Sequence, residues 1–135
     1  MIRKGRFALW QSKEYELISY QRKYYLRSED QSDSNKGFIK MNGNNGPLIK
    51  HVSINELDDA FEIIPYAMLS GHRFEVEGYN KEMDTIALVT NNPFVKNKIE
   101  VRPYGKYEYI IEIPSTTMKI EEDRIHILGF ENKFN

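Results

Sequence analysis

KEYELISY, residues 13–20, sets charged and apolar side chains in strict turn: Glu14 and Glu16 fall on one side, Tyr15 and Leu17 on the other. Side chains of an extended chain flip with a period of two, so this stretch reads as a strand with Tyr15 and Leu17 facing a core. Tyr24 and Leu26 then mark the returning strand. The same alternation pairs Phe74 with Val76 and Ile86 with Leu88, and it sets Tyr107, Tyr109, Ile111 and Ile113 on one face opposite Glu108 and Glu112. Aromatic residues make up 13% of the chain, and flat rings suit packing across neighbouring strands. The fold class is therefore mainly β, with α+β as the variant left open. About eight to ten short, largely antiparallel strands are expected, arranged in a barrel or sandwich with one or two short helices.

Turn chemistry divides these runs. NGNNGP at 42–47 offers several residues tolerant of positive φ and predicts a hairpin joining 38–41 to 48–52. NNP at 91–93 ends another strand. SEDQSDSNK at 28–36 is polar, small and charged, which reads as a mobile loop. An internal echo is also present. KEYELISY followed by YYLRSED resembles HRFEVEGY (72–79) followed by IALVTNN, at an offset of about 59 positions. HVSINELDDAFEII (51–64) has a looser counterpart in IPSTTMKIEEDRIHIL (113–128), with Ser53 facing Thr116, Leu57 facing Ile120, and Asp58-Asp59 facing Glu121-Glu122. A single domain over 1–135 with structural halves of about 1–70 and 71–135 follows if the echo is a duplication. Chance likeness among β-rich segments is the competing account.

A chain of 135 residues can hide roughly two thirds of its unfolded surface, so it folds without staples. The absence of Cys removes disulfides, thiolate metal sites and a Cys nucleophile, and fits a reducing compartment such as the cytoplasm. The N-terminal MIRKGRFALWQSKEYEL has early positive charge but no apolar core of signal-peptide length, and no run approaches a membrane span. The net charge of −1 hides polarity. Residues 1–27 carry seven Lys or Arg against two acids, a net of +5, whereas residues 51–90 carry two against eight, a net of −6. Such blocks permit a charged partner without identifying one.

Ser53-x-x-Glu56 matches a capping box, and Asp58 and Asp59 follow it, so the segment reads as a short helical start with outward acids. A glycosidase-like carboxylate pair would need its members about 5 to 9.5 Å apart across one substrate. Neighbours on a helix instead diverge by about 100°. His51, His72 and His126 show no zinc-binding spacing, Ser70-Gly71 lacks the earlier glycine of a nucleophile elbow, and no Gly-rich phosphate loop occurs. No catalytic residue, metal or cofactor is expected. Basic and aromatic residues do interleave at Arg22, Lys23 and Arg27 and again at Arg102, Tyr104 and Lys106, a mixture that can bind single-stranded nucleic acid. The plainer account makes Tyr24, Tyr107 and Tyr109 core residues, with Lys and Arg on the wet face. Trp10 is likewise read as core. The run LDDAFEIIPYAML (57–69) is rich enough in apolar residues to serve either core or partner face.

WQSKEYEL, YYLRSED, INELDDAFEI, IALVTNN and the closing ILGFENKF together resemble small bacterial proteins, mostly from Firmicutes, that accompany secreted polymorphic toxins and are similar to immunity proteins. The resemblance implies a cytoplasmic protein without catalysis that covers the active site of a toxin, with charge complementary to it. Asp58, Asp59, Glu62, Glu121 and Glu122 are then the expected contacts to a basic partner. A nucleic-acid-binding β domain using the basic residues above is the alternative. Oligomeric state is not set by the sequence.

Overall fold

The computed structural model describes residues 2–41 and 46–132. Eleven strands are present: β1 Gly5–Trp10, β2 Lys13–Tyr20, β3 Lys23–Ser28, β4 Ile39–Lys40, β5 Leu48–Val52, β6 Asp59–Leu69, β7 His72–Asn80, β8 Thr85–Thr90, β9 Arg102–Tyr104, β10 Glu108–Pro114 and β11 Glu121–His126. Among the described residues four short 3₁₀ helices punctuate them, at Gln31–Lys36, Ile54–Glu56, Pro93–Asn97 and Ser115–Thr117. The mainly β expectation holds, with one strand more than its upper bound. The tip of the expected NGNNGP hairpin, 42–45, lies outside the described residues, while its arms pair as predicted, Ile39 opposite Ile49.

The element order repeats. Strands β2 to β6 run strand, strand, 3₁₀, strand, strand, 3₁₀, strand, and β7 to β11 run through the same series. Pairing repeats with it: the order β4-β5-β3-β2-β1-β6 in the first copy matches β9-β10-β8-β7-β6-β11 in the second. The long β6 is thus the last strand of one repeat and the first of the next. The echo in the sequence is a duplication of topology. Neither order returns to its starting strand among the described residues, so each repeat is an open sheet, not the closed barrel that was one expectation. The outer strands β4 and β9 are only two and three residues long, and β9 holds Pro103. A short edge with a Lys or a Pro is a poor template for further pairing.

The compact units are not the halves 1–70 and 71–135. One contains 5–63 with 124–132, the other 2–4 with 64–123, so the division falls inside β6. In the first unit Ala8, Trp10, Tyr15, Leu17, Leu26 and Leu48 are buried on one face. Trp10 is therefore core, its ring 5.9 Å from that of Phe38. In the second unit Phe74, Val76, Ile86, Leu88 and Val95 form the core, with Tyr109, Ile111 and Ile113 packed against it. Tyr107, expected beside them, is 73% exposed because the strand begins only at Glu108.

The segment 28–36, read as mobile, is pinned. Its Asp33 is fully buried and accepts from Ser28 Oγ at 2.6 Å, Lys13 Nζ at 2.9 Å and the Tyr15 hydroxyl at 3.0 Å. Asp30 caps the 3₁₀ turn by accepting from the Ser32 amide. Polar composition signals a loop, but a polar loop orders when its carboxylate finds donors on a neighbouring strand. Burial alone would raise the Asp33 pKa, yet the bonds from Ser28, Lys13 and Tyr15 outweigh it and hold the carboxyl below its ordinary value. Burial and the Asp33 bond push the Tyr15 phenol up to about 12, and Lys13, with Ser32, pulls Asp30 down to about 2.

Candidate docking face

The acids expected to meet a partner are mostly occupied. The capping pair is present, with the Ser53 amide donating to Glu56 Oε2 at 2.7 Å, but the turn ends at Glu56 and the chain enters β6 at Asp59. Asp59 therefore does not project from a helix. It is buried, stands opposite Leu9, and lies 2.9 Å from His126 Nδ1. The outward placement of Asp59 is overturned because period-two alternation at the start of β6 turns it toward β11. Arg124 covers Phe61 in the same place, its guanidinium 4.0 Å from the ring centre. Asp58 is exposed and Glu62 half-buried. Glu122 accepts from Arg3 at 3.1 Å, and Glu121 lies 3.7 Å from Lys119. Asp58, Asp59 and Glu62 belong to one compact unit and Glu121 and Glu122 to the other.

The basic set divides as well. On the second repeat Arg102 donates to Glu112 at 2.7 Å and the Tyr104 hydroxyl to Glu77 at 3.2 Å, an acceptance that raises the Tyr104 pKa. Lys106 sits 5.4 Å from the Tyr107 ring. The Arg102 charge is offset by Glu112. On the first repeat Arg27 faces Glu16 across the ladder and reaches Glu29 at 3.8 Å. Arg22 and Lys23 are exposed, and no ion pair holds either among the described residues.

These last two lie beside the feature that sequence reasoning missed. Opposite the first core, the sheet of β2, β3, β5 and β4 carries a row of Ile18, Tyr25 and His51 in register, and a second row of Arg27, Ile49 and Ile39. Tyr20 and Met41 flank them, and all of these but Arg27 line a concavity of about 770 Å³. Ile39 is 66% exposed and Tyr20 62%. The Tyr25 and His51 rings stand 5.4 Å apart. Alternation could have found the face, since Ile18 and Tyr20 continue the outward series of Glu14 and Glu16.

The wall formed by Ile39 and Met41 is held by the pinned loop behind it. After Lys36 the chain turns through Gly37 at φ +92°, a left-handed conformation that glycine adopts without cost. Phe38 then plugs in beside Tyr15, with ring centres 5.1 Å apart, and Ile39 emerges on the other side of the sheet.

The second repeat is an internal control for this face. The same side of its sheet carries Glu75 opposite Val89, Ala87 opposite Glu112, and Tyr104 opposite Glu108. The row of Glu75, Val89 and Ile110 keeps two buried aliphatics, whereas the row of Ala87 and Glu112 ends in a carboxylate, so the fold does not require an apolar or aromatic side chain in the row of Ile18, Tyr25 and His51. Contiguous exposed apolar surface that folding does not need marks an interaction site.

Among the described residues no group of three or more His, Asp or Glu is placed to hold a metal ion, and no helix is long and apolar enough to cross a membrane. Residues 2–129 match the family described as Uncharacterised conserved protein UCP033725. No curated protein and no solved structure matches the chain.

Proposed function

The chain belongs to that uncharacterised family, and from the surface of its first repeat we propose that it is a non-catalytic module that binds another protein. The observation that carries this reading is the apolar face of Ile18, Tyr25, Ile39 and Ile49, with Ile39 exposed and the other three half-buried, on the side where the sister repeat carries Glu112 and Glu108. Interface centres are apolar and rich in tyrosine, with a polar rim. A secreted toxin is the partner that the sequence resemblance implies, and covering its active site is the form the activity takes. The acids first expected to make the contact give way to this face, because Asp59 and Glu122 are already engaged.

The reading is tested by placing a photo-cross-linking residue at Ile39 in the native host, with Glu112 on the equivalent side of the second repeat as control. A discrete protein adduct from position 39 and none from 112 supports it. Equal adducts from both positions, none from either, or a nucleic-acid adduct alone overturns it.

A further inference from the structure

Independently of the protein-binding face, we infer that the second repeat holds a site for a small neutral amphiphile, with an apolar chain and a hydroxyl or amide head that donates a hydrogen bond. The unit of 2–4 and 64–123 contains a concavity of about 770 Å³ at the margin of its core. Its floor is aliphatic: Ile86 is buried in that core, and Ile2 and Ile120 pack against it half-buried. Tyr79 and Ser115 add two hydroxyls, and Lys81 and Glu122 complete the lining. Concavities of this size, mostly apolar with a few convergent polar groups, take small molecules.

Duplication supplies the comparison. Ile86 opposes Ile113 just before the turn at Ser115–Thr117, and Tyr24 opposes Val52 just before the turn at Ile54–Glu56. Tyr24 is therefore the counterpart of Ile86, and it packs against the first core. Where one copy places a phenol ring, the other keeps a smaller side chain beside an open cleft. Interiors pack closely, and uncovered aliphatic surface forgoes burial. An apolar occupant restores what the fold leaves unfilled.

The polar groups select the head. The Tyr79 and Ser115 hydroxyls both donate to Asp84 Oδ1, at 2.7 and 2.6 Å. A hydroxyl has one proton to give, so towards a ligand both oxygens act as acceptors. Around the cleft Asp84 and Glu122 balance Lys81 and Arg3 in charge, and Glu122 is itself met by Arg3 at 3.1 Å. An ionised head would lose its water without meeting an uncompensated counter-charge. A neutral donor loses less and finds two acceptors.

Displacement of the neutral dye N-phenylnaphthylamine, with each amphiphile below its micelle concentration, tests the site. Decanol should bind about tenfold or more tighter than decanoate and decylammonium, and about fivefold tighter than decyl methyl ether, which has no proton to give. It should shift the amide resonances of Ile86, Ser115 and Ile120. Ile120→Trp, at a half-buried position, and Ile86→Tyr, which installs the ring of the first repeat, should each weaken decanol about tenfold or more with circular dichroism unchanged. Should Ile86→Tyr not fold, Ile120→Trp decides. Ile39→Asp, on the docking face, should leave decanol binding as it was. Equal affinity for all four amphiphiles, preference for either ion, loss of decanol in Ile39→Asp with Ile120→Trp unaffected, or no binding at all overturns the inference. None of these outcomes bears on a protein adduct at position 39, so the two readings fail separately.

Discussion

The Tyr15 hydroxyl donates to the buried carboxylate of Asp33 at 3.0 Å, tying the first core strand pair to the loop that carries Phe38 and Ile39. One side chain thus belongs to both the core and the support of the docking face. Removing the carboxylate strands the Tyr15 phenol and leaves Lys13 and Ser28 with Asp30 alone. Asp33→Ala is expected to cost about 3 kcal/mol in urea unfolding. Tyr15→Phe, which leaves Asp33 two of its donors, is expected to cost about 1 kcal/mol.

The same cluster sets two pH limits. Asp30 and Asp33 titrate below their ordinary values when folded, so their contribution is complete above the unfolded carboxyl value of about 3.9 and is lost as pH falls through their folded values. Tyr15 is raised to about 12, so its contribution is present below the unfolded phenol value of about 10 and fades as pH climbs between the two. Lys13 is raised too and fails in the same alkaline direction. Denaturant midpoints of Asp33→Asn should be flatter than wild type in the acid limb. An unchanged acid limb would remove Asp33 from this account.

The β2–β3 hairpin turns through Gln21 at φ 50° and Arg22 at φ 63°, positions that Asn and Gly fill with least strain. Exchanging this pair for Asn-Gly should stabilise the protein by about 1 kcal/mol.

Ile39, 66% exposed, should be replaceable by Asp with a change in stability within about 0.5 kcal/mol. Loss of the cross-linked partner without loss of fold is the expected pair of results. A collapse in stability would place Ile39 in the core and remove it from the interface.

Two phenylalanines of the second repeat give a direct contrast. Phe74 is fully buried and Phe94 is 70% exposed. Phe74→Ala should cost about 4 kcal/mol and Phe94→Ala within about 0.5 kcal/mol, both measured by urea denaturation.

Much of the fold was legible because alternation is a local signal. Tyr15, Leu17, Phe74 and Val76 turned inward as their spacing required, and the echo of KEYELISY in HRFEVEGY marked equivalent strands β2 and β7. What escaped depends on distant partners. Asp59 turns inward because His126 waits 67 positions away, and Asp33 is ordered by Lys13 and Tyr15 on another strand. The two-residue turn at Gln21-Arg22 carries none of the usual Gly or Asn. The sharing of β6 was hidden for a different reason: its counterpart in the first repeat is β1, whose sequence bears no visible likeness to it. As for the docking face, its rows are assembled from β2, β3, β5 and β4, so only their register brings Ile18, Tyr25, Ile49 and Ile39 together.

Since Asp59–Leu69 completes one copy and begins the other, the duplicated protein is not two beads on a string. A gene fragment ending near the midpoint would yield a product missing either its closing or its opening strand, with a raw margin prone to aggregation. Melting of either copy strips its neighbour of a strand, so the molecule should be lost in one cooperative event despite its repeated topology.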